Sequence, residues 1–175
     1  MLSAAKTGAN CSTFMTKLIH YPEQYSAASS DIPYGISSGC VVYKNDDDGT
    51  QVLLLMRNRD NKISYHLPKG TVHVDESLEQ AAIRETAEEA GIKVDLVTYL
   101  GAKVYQYEFK GKYYDKTFHY YAAEYIKDLG GMDNEHDGKI WINIDEAADL
   151  LDKTSPDKKE SVFVGRLISF LESKS

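Results

Sequence analysis

Three glutamates, Glu85, Glu88 and Glu89, fall within five consecutive residues. On a helix turning about 100° per residue they share an arc of roughly 100°. Like charges on one face repel, so an isolated helix would be weakened by them. A run of this kind is ordinarily a solvated acidic face. Two details oppose that reading. Leu78, Ala81 and Ala82 project towards the glutamate side, and Ile83, Ala87 and Ala90 form a second apolar strip roughly opposite. A helix with apolar material on both sides is sandwiched, and its carboxylates then face a partly enclosed site. Arg84 alone cannot balance three such charges. A hard divalent cation would: magnesium takes oxygen ligands, keeps several waters, and commonly meets one or two carboxylates plus a substrate phosphate. On the residues alone both readings stay open, with the metal site favoured.

The elements that must position these residues can be read on either side. Ser77 to Ala90 is predicted as the helix, with Ser77 and Gln80 forming a capping box and Gly91 as its stop. Upstream, ordered structure is expected from about Pro33. Ile36–Tyr43 and Gln51–Arg57 read as strands around an Asp-Gly turn, followed by a polar link from Asn58 to Lys62 and an extended piece ending in Pro68-Lys69-Gly70. Downstream, Ile92–Leu100, Ala102–Phe109 and Lys116–Tyr125 read as strands. A Gly- and Asp-rich loop, Gly130 to Gly138, leads into a short strand, Lys139–Ile142. Asp145 is expected to cap a brief helix. Ser155-Pro156 is expected to open a last one, striped by Phe163, Leu167 and Leu171. The pattern implies an α/β fold, a mixed sheet with helices packed on it. It divides the chain into an N-terminal extension, residues 1–33, and one domain, residues 34–175.

Composition removes several function classes. The formal charge is −7, from 20 basic and 27 acidic residues, which argues against binding a nucleic-acid backbone. A small phosphorylated substrate needs only a local basic or metal-filled pocket and is not excluded. No apolar run is long enough for a membrane span. Two cysteines, Cys11 and Cys40, make neither a metal cluster nor a disulfide framework, so a reducing, cytoplasmic setting is the simplest expectation. Residues 1–22 carry Lys6, Lys17 and many hydroxyl residues, in part like a mitochondrial transit peptide, but they hold no arginine. A loosely docked extension is the favoured reading. Nothing in the sequence bears on oligomeric state.

The spacing around the glutamates carries further information. Gly70, then five residues, Glu76, then seven, then Arg84-Glu85-Thr86-Ala87-Glu88-Glu89-Ala90-Gly91-Ile92 resembles the signature box of the Nudix hydrolases, with every fixed Gly, Glu and Arg present. Thr86 stands where an aliphatic residue is more usual. Leu67-Pro68-Lys69-Gly70 leading in, and strands following, extend the resemblance over roughly Ile36 to Leu171. It implies an α/β/α sandwich around a mixed sheet. It also implies hydrolysis of a nucleoside diphosphate linked to another group. Carried over by position, Glu85, Glu88 and Glu89 would ligate Mg²⁺ or Mn²⁺ together with the Gly70 carbonyl. Arg84 would orient the glutamates, and Glu76 would hold the loop–helix turn.

Features outside the box bear on the substrate. Glu135-His136-Asp137-Gly138-Lys139-Ile140-Trp141 resembles a stretch of the asymmetric diadenosine tetraphosphate hydrolases, in which the loop glutamate is associated with activating water. The strand around Lys116-Thr117, with Tyr120 and Tyr121, resembles the same subfamily, and Tyr107 lies near its downstream tyrosine. The resemblance therefore implies catalytic roles for Glu135, Glu85 and Arg84, and substrate contacts from Lys69, Tyr107, Lys116, Tyr120 and Tyr121. Plainer readings stand beside these: strand tyrosines are common, Trp141 reads as core, and lysines are usually surface. Two departures matter. His73-Val74-Asp75 replaces the family's usual Glu-Pro-Gly, removing a glycine from the turn, and His66 stands where many relatives have Trp. A diphosphoinositol polyphosphate, ADP-ribose or an oxidised nucleoside triphosphate are alternative substrates; a catalytically silent binding module is the non-enzyme alternative.

Overall fold

The computed structural model describes residues 34–47, 49–109 and 112–174, and the side chains of these except 34, 105–109 and 112–114. The expected extension, residues 1–33, lies outside the described residues. Along the chain come β1 (Tyr34–Asp46), β2 (Gly49–Arg59), β3 (Lys62–His66), β4 (Lys69–Thr71), α1 (Leu78–Ala90), β5 (Ile92–Phe109), β6 (Lys112–Asp128), β7 (Gly138–Asn143), α2 (Ile144–Thr154) and α3 (Ser161–Glu172).

Residues 40–43 show how the layers arise. Side chains alternate along a strand, and here Cys40 and Val42 enter one apolar core while Val41 and Tyr43 enter another. Leu53 and Leu55 against Val52 and Leu54, and Tyr121 and Ala123 against Tyr120 and Ala122, divide in the same way. The first core is closed by Ala82 and Ala90 of α1, the second by Ala147 and Leu151 of α2 and Phe163, Val164 and Leu167 of α3. The result is an α/β/α sandwich. Strands buried on both faces carry near-continuous apolar runs, as Val52 to Leu55 do.

β1 is the organising strand. It runs parallel to β6 from Tyr34 to Tyr43, so its opposite edge is shared: β4 pairs with Ser37–Gly39 and β2 with Tyr43–Asp46, both antiparallel. β5 pairs antiparallel with β6, and β3 and β7 with β2. The sheet is mixed, in the order β3-β2-β1-β6-β5 with β4 on β1 and β7 on β2. The β1 edge is thus split between β2 and β4, and Arg57 of the one and Lys69 of the other line the cavity described below.

Several expectations need correction. The polar link is a tight hairpin turn: Asp60 and Asn61 both take left-handed backbone, φ 51° and 60°, which suits a two-residue loop. Ile92–Phe109 is one strand, bent at a register shift where Gly101 has φ 112°. Asn143, not Asp145, caps α2, accepting the Asp145 N–H at 3.0 Å. Ser155-Pro156 ends α2 instead of opening α3, which starts at Ser161; a proline just past a helix cannot continue it. Finally, α1 is not apolar on both sides. Its buried residues, Ala81, Ala82, Thr86 and Ala90, lie on the sheet, while Ile83 is exposed. Thr86 fills the aliphatic position as a fully buried side chain.

Candidate metal and phosphate site

Helix α1 is fixed at both ends. Ser77 accepts the Gln80 N–H at 3.1 Å while Gln80 accepts the Ser77 N–H at 2.9 Å, the reciprocal pair of a capping box. Gly91 takes a left-handed C-terminal position, φ 62°, where a Cβ would collide with the Gly131 carbonyl. The Lys139 ammonium donates to the Ala90 carbonyl at 2.8 Å, satisfying a helix end whose partial negative charge favours a cation.

Arg84 spends its guanidinium on the acidic face. Nε and Nη2 grip Glu76 at 2.7 and 2.9 Å, Nη1 reaches Glu85 at 2.7 Å and Glu88 at 3.1 Å, and Nη2 also donates to the Thr71 carbonyl. Hydrogen bonding from Arg84 holds the Glu76 carboxyl down to about 2. Arg84 thereby ties the helix to the preceding loop through Glu76. Glu85 meets it through Oε1 and Glu88 through Oε2, so Glu85 Oε2 and Glu88 Oε1 have no donor among the described residues. Gly70 lies against Glu85 so closely that a Cβ there would overlap the carboxylate. Glu89 accepts the Lys69 N–H at 2.8 Å, and burial pushes its carboxyl up to about 7 against the pull of Lys69. Gly70 thus lies against Glu85, Glu88 shares Arg84 with Glu85, and Glu89 is tied to the Lys69 backbone, but the ligand atoms of the three glutamates do not all lie within 4.8 Å of one another. Carboxylate and backbone carbonyl oxygens are the donors a hard divalent cation takes.

Glu85 and Glu89 are half-buried while Glu88 is exposed, and the cover on the first two comes from loops, since α1 has one buried face. On one side lies Pro68-Lys69-Gly70. On the other, Asp133 accepts from the N–H groups of Glu135 and His136 and from the His136 ring, at 3.1, 3.1 and 2.9 Å, while its own N–H donates to the Glu88 carbonyl. Further bonds, Leu129 N–H to Gly91 and Asp137 N–H to Met56, pin the loop at both ends. An arginine can only donate, so His136 Nε2, 3.2 Å from Arg57 Nη2, accepts, and the ring proton sits on Nδ1 facing Asp133. Glu89, Asp133 and His136 offer ligand atoms within 4.8 Å of one another.

Between Glu89 and the α2–α3 segment lies a cavity of about 380 Å³, lined among others by Ser37, Arg57, His66, Lys69, Glu89, Lys116, Glu135 and Lys158. Glu135 is at its rim, exposed, ion-paired to Arg57 at 3.2 Å. Lys69 and Lys116 lie over the Phe118 ring, 5.4 and 5.9 Å from its centroid. Behind the wall, Glu160 is 1% exposed; it pairs with Lys69 at 2.8 Å and accepts from Leu67 N–H and Tyr120 Oη. Burial would raise the Glu160 carboxyl, but Lys69, the Leu67 N–H and the charge of Lys158 hold it below its ordinary value.

The predicted contacts therefore separate. Lys69, Lys116, Glu89 and Glu135 share one cavity. Tyr120 and Tyr121 do not reach it: adjacent strand residues face opposite ways, so Tyr120 is buried in the core beneath α3 and Tyr121 in the core beneath α1, against Tyr99. The side chain of Tyr107 lies outside the described residues. Trp141 is half-buried against Tyr125. Sequence reasoning missed Arg57, Asp133, Lys158 and Glu160. None belongs to a local motif; tertiary structure alone collects them.

Comparison with known proteins gives a consistent picture. The NUDIX domain family matches residues 33–163. A mutator protein, MutT4, of Mycobacterium tuberculosis is 34% identical over 93 residues, covering 51% of this chain and 36% of that protein. Nudix hydrolase 21, chloroplastic, of Arabidopsis thaliana is 30% identical over 132 residues, covering 73% of this chain and 65% of that one. The chain thus spans about a third and just under two thirds of these relatives' lengths. The asymmetrical bis(5'-nucleosyl)-tetraphosphatase of Sus scrofa is 34% identical over 107 residues, 59% of this chain and 72% of that one. Among solved structures, a Caenorhabditis elegans Ap4A hydrolase binary complex superposes with a TM-score of 0.58 at 26% identity, covering 79% of this chain and 98% of that one.

Proposed function

Because the chain belongs to the Nudix family, we propose that it hydrolyses a phosphoric anhydride bond in a dinucleoside polyphosphate, diadenosine tetraphosphate being the representative substrate. The observation that carries the reading is a juxtaposition: Glu89 of the box, Glu135 and four cationic side chains, Arg57, Lys69, Lys116 and Lys158, line one cavity. The names of the porcine and nematode relatives support the same substrate class.

Gly70, Glu85, Glu88 and Glu89 would hold Mg²⁺ or Mn²⁺, which neutralises phosphate oxygens and lowers the pKa of bound water. Lys69 and Lys116 bind the phosphate chain. Arg84 orients Glu85 and Glu88. Glu135 takes the proton of the water that attacks phosphorus, and Glu85 is the rival for that role. A cytoplasmic location belongs to the same reading, supported by Cys40, which is a buried free thiol.

The four cations also favour a second reading, a diphosphoinositol polyphosphate, whose crowded anionic charge suits the same wall. The deciding experiment is product analysis on diadenosine tetraphosphate, ADP-ribose and a diphosphoinositol phosphate, each with and without Mg²⁺. ATP plus AMP from the first, at the highest kcat/KM of the three, is the expected result. Release of orthophosphate from the diphosphoinositol phosphate at higher kcat/KM would move the assignment to the second reading, and no hydrolysis of any would remove the enzyme reading.

A further inference from the structure

We propose that Ser37, Lys116 and Lys158 form an anion subsite beside the glutamates, taking a phosphate group of the substrate other than the one attacked. The inference rests on the polyphosphate reading above and adds to it a named place for the second phosphate.

Three groups in one cavity lack the partner their chemistry calls for. Ser37 is 1% exposed and its hydroxyl has no hydrogen-bond partner among the described residues. Buried hydroxyls are normally satisfied, and one left open costs stability unless a ligand uses it. The ammonium groups of Lys116 and Lys158 are half-buried, and neither has a carboxylate within 4.0 Å among the described residues. The other cations of the wall are paired, Lys69 with Glu160 and Arg57 with Glu135. Lys158 meets only the imidazole of His66, 3.2 Å away. Burial, followed by the repulsion of Lys69, lowers the pKa of both lysines, that of Lys158 to about 8, against the longer-range pull of Glu85 and Glu89 on Lys116 and of Glu160 and Glu89 on Lys158. Unpaired buried cations are unfavourable until an anion arrives.

Their placement suits one ligand group. Ser37 pairs in register with Phe118 on the adjacent parallel strand, and Lys116 stands two residues earlier on that strand, so all three side chains share a face. Lys158 approaches from the segment between α2 and α3 and lines the same cavity. Two ammonium groups, which can only donate, and a hydroxyl free to donate line one space and suit a tetrahedral oxyanion, the chemistry of a phosphate. Glu89 lies on the same cavity, which sets the subsite next to the glutamate site and not apart from it. A substrate with three or more phosphates fills both; one with a lone pyrophosphate leaves the subsite empty. A ring phosphate of an inositol polyphosphate could supply the same group.

The test is calorimetric titration of the full chain in EDTA with tripolyphosphate and, separately, inositol hexakisphosphate. Ser37→Ala and Lys158→Gln are each expected to weaken tripolyphosphate binding by on the order of tenfold, the size of a hydrogen bond to a charged group. Removing an unpartnered hydroxyl should leave the melting temperature of Ser37→Ala no lower than the parent's; should that variant fail to fold, Lys158→Gln carries the test. Weakening confined to inositol hexakisphosphate would keep the subsite and name a ring phosphate as its occupant. Equal affinities of parent and both variants for both probes would overturn the subsite even if diadenosine tetraphosphate is cleaved. Ser37-dependent binding without cleavage of any substrate would instead retain the subsite and remove the hydrolase reading.

Discussion

The ammonium of Lys69 lies 2.8 Å from the carboxylate of Glu160, while the backbone N–H of Lys69 donates to Glu89 at 2.8 Å. One residue thus couples a fully buried acid at the start of α3 to a carboxylate of the glutamate site. Removing one partner of a buried ion pair leaves the other uncompensated, typically at about 3–5 kcal/mol. Glu160→Ala is therefore expected to lower unfolding free energy by about that amount in urea, because Lys69, Tyr120 Oη and Leu67 N–H all lose their acceptor. A loss under about 1 kcal/mol would mean that water replaces the carboxylate and that Lys69 does not depend on it.

Glu85 and Glu88 share Arg84 with Glu76, and Glu89 has only Lys69 to oppose its charge, which makes the site sensitive to cations. A divalent ion that binds only the folded chain stabilises it by mass action, so millimolar Mg²⁺ or Mn²⁺ is expected to raise the melting temperature. Glu89→Gln should abolish most of that rise and lower turnover by orders of magnitude while leaving circular dichroism unchanged. A parent protein whose melting temperature ignores both metals would show that the acidic face is structural.

His66 gives an acid-side prediction. It is 6% exposed, with Nε2 against Ser64 and Nδ1 against Ser155 and Lys158, and burial followed by Lys158 lowers its pKa from 6.5 to about 3. Glu160 pulls the other way, and Lys69 and Arg57 add to the lowering. The unfolded state binds the proton first, so the contribution is complete above pH 6.5 and is lost as pH falls towards 3. His119, lowered to about 4 by burial, acts in the same sense. Unfolding free energy measured from pH 7 to 4.5 should fall, and His66→Gln should flatten the slope. A His66→Gln profile parallel to the parent's would exclude His66 as its source.

The turn before α1 holds a replaceable strain. Asp75 has φ 67°, the left-handed region, where the family's usual residue is glycine. The turn that the missing glycine put in doubt is therefore kept, with an exposed aspartate bearing the cost. Asp75→Gly relieves roughly 1 kcal/mol of backbone strain and returns part of it as unfolded-state entropy, so a gain of a few tenths to about 1 kcal/mol is expected in denaturant titration. A loss would mean that the aspartate carboxylate contributes an interaction at the loop.

How much of this could be read in advance follows from the range of each interaction. The capping box at Ser77 and the stop at Gly91 are local, and both stand as expected. The α/β/α sandwich, implied only by the family resemblance, has its physical counterpart in continuous apolar runs such as Val52–Leu55, buried on both faces. Errors came where one residue type serves two geometries: Pro156 ends a helix as readily as it opens one, and Asp60-Asn61 reads as a loop or a tight turn. The cavity was the least legible part. Arg57, Lys69, Lys116 and Lys158 are 12, 47 and 42 residues apart in turn, so no window of sequence holds a basic cluster. Folding β2, β4, β6 and the α2–α3 segment together makes one.

Glu135 is the remaining test of mechanism. Its loop is held by Asp133, which accepts from the Glu135 and His136 N–H groups, and by Arg57, which donates to both the Glu135 carboxylate and its carbonyl. A pinned carboxylate at the cavity rim suits a base that needs little reorganisation, but its pairing with Arg57 must loosen before it takes a proton. A positioned general base contributes about 10² to 10⁴ in rate. Glu135→Gln is thus expected to lower kcat by that order with a smaller change in KM, while metal affinity, read from the melting shift with Mn²⁺, stays at the parent's value. Glu85→Gln would change both quantities, since it removes an oxygen of the metal set. Cleavage of diadenosine tetraphosphate in ¹⁸O-water should give ATP and AMP with label in one product only. Full activity in Glu135→Gln, or two ADP molecules as products, would return the base to Glu85 and the substrate to another class.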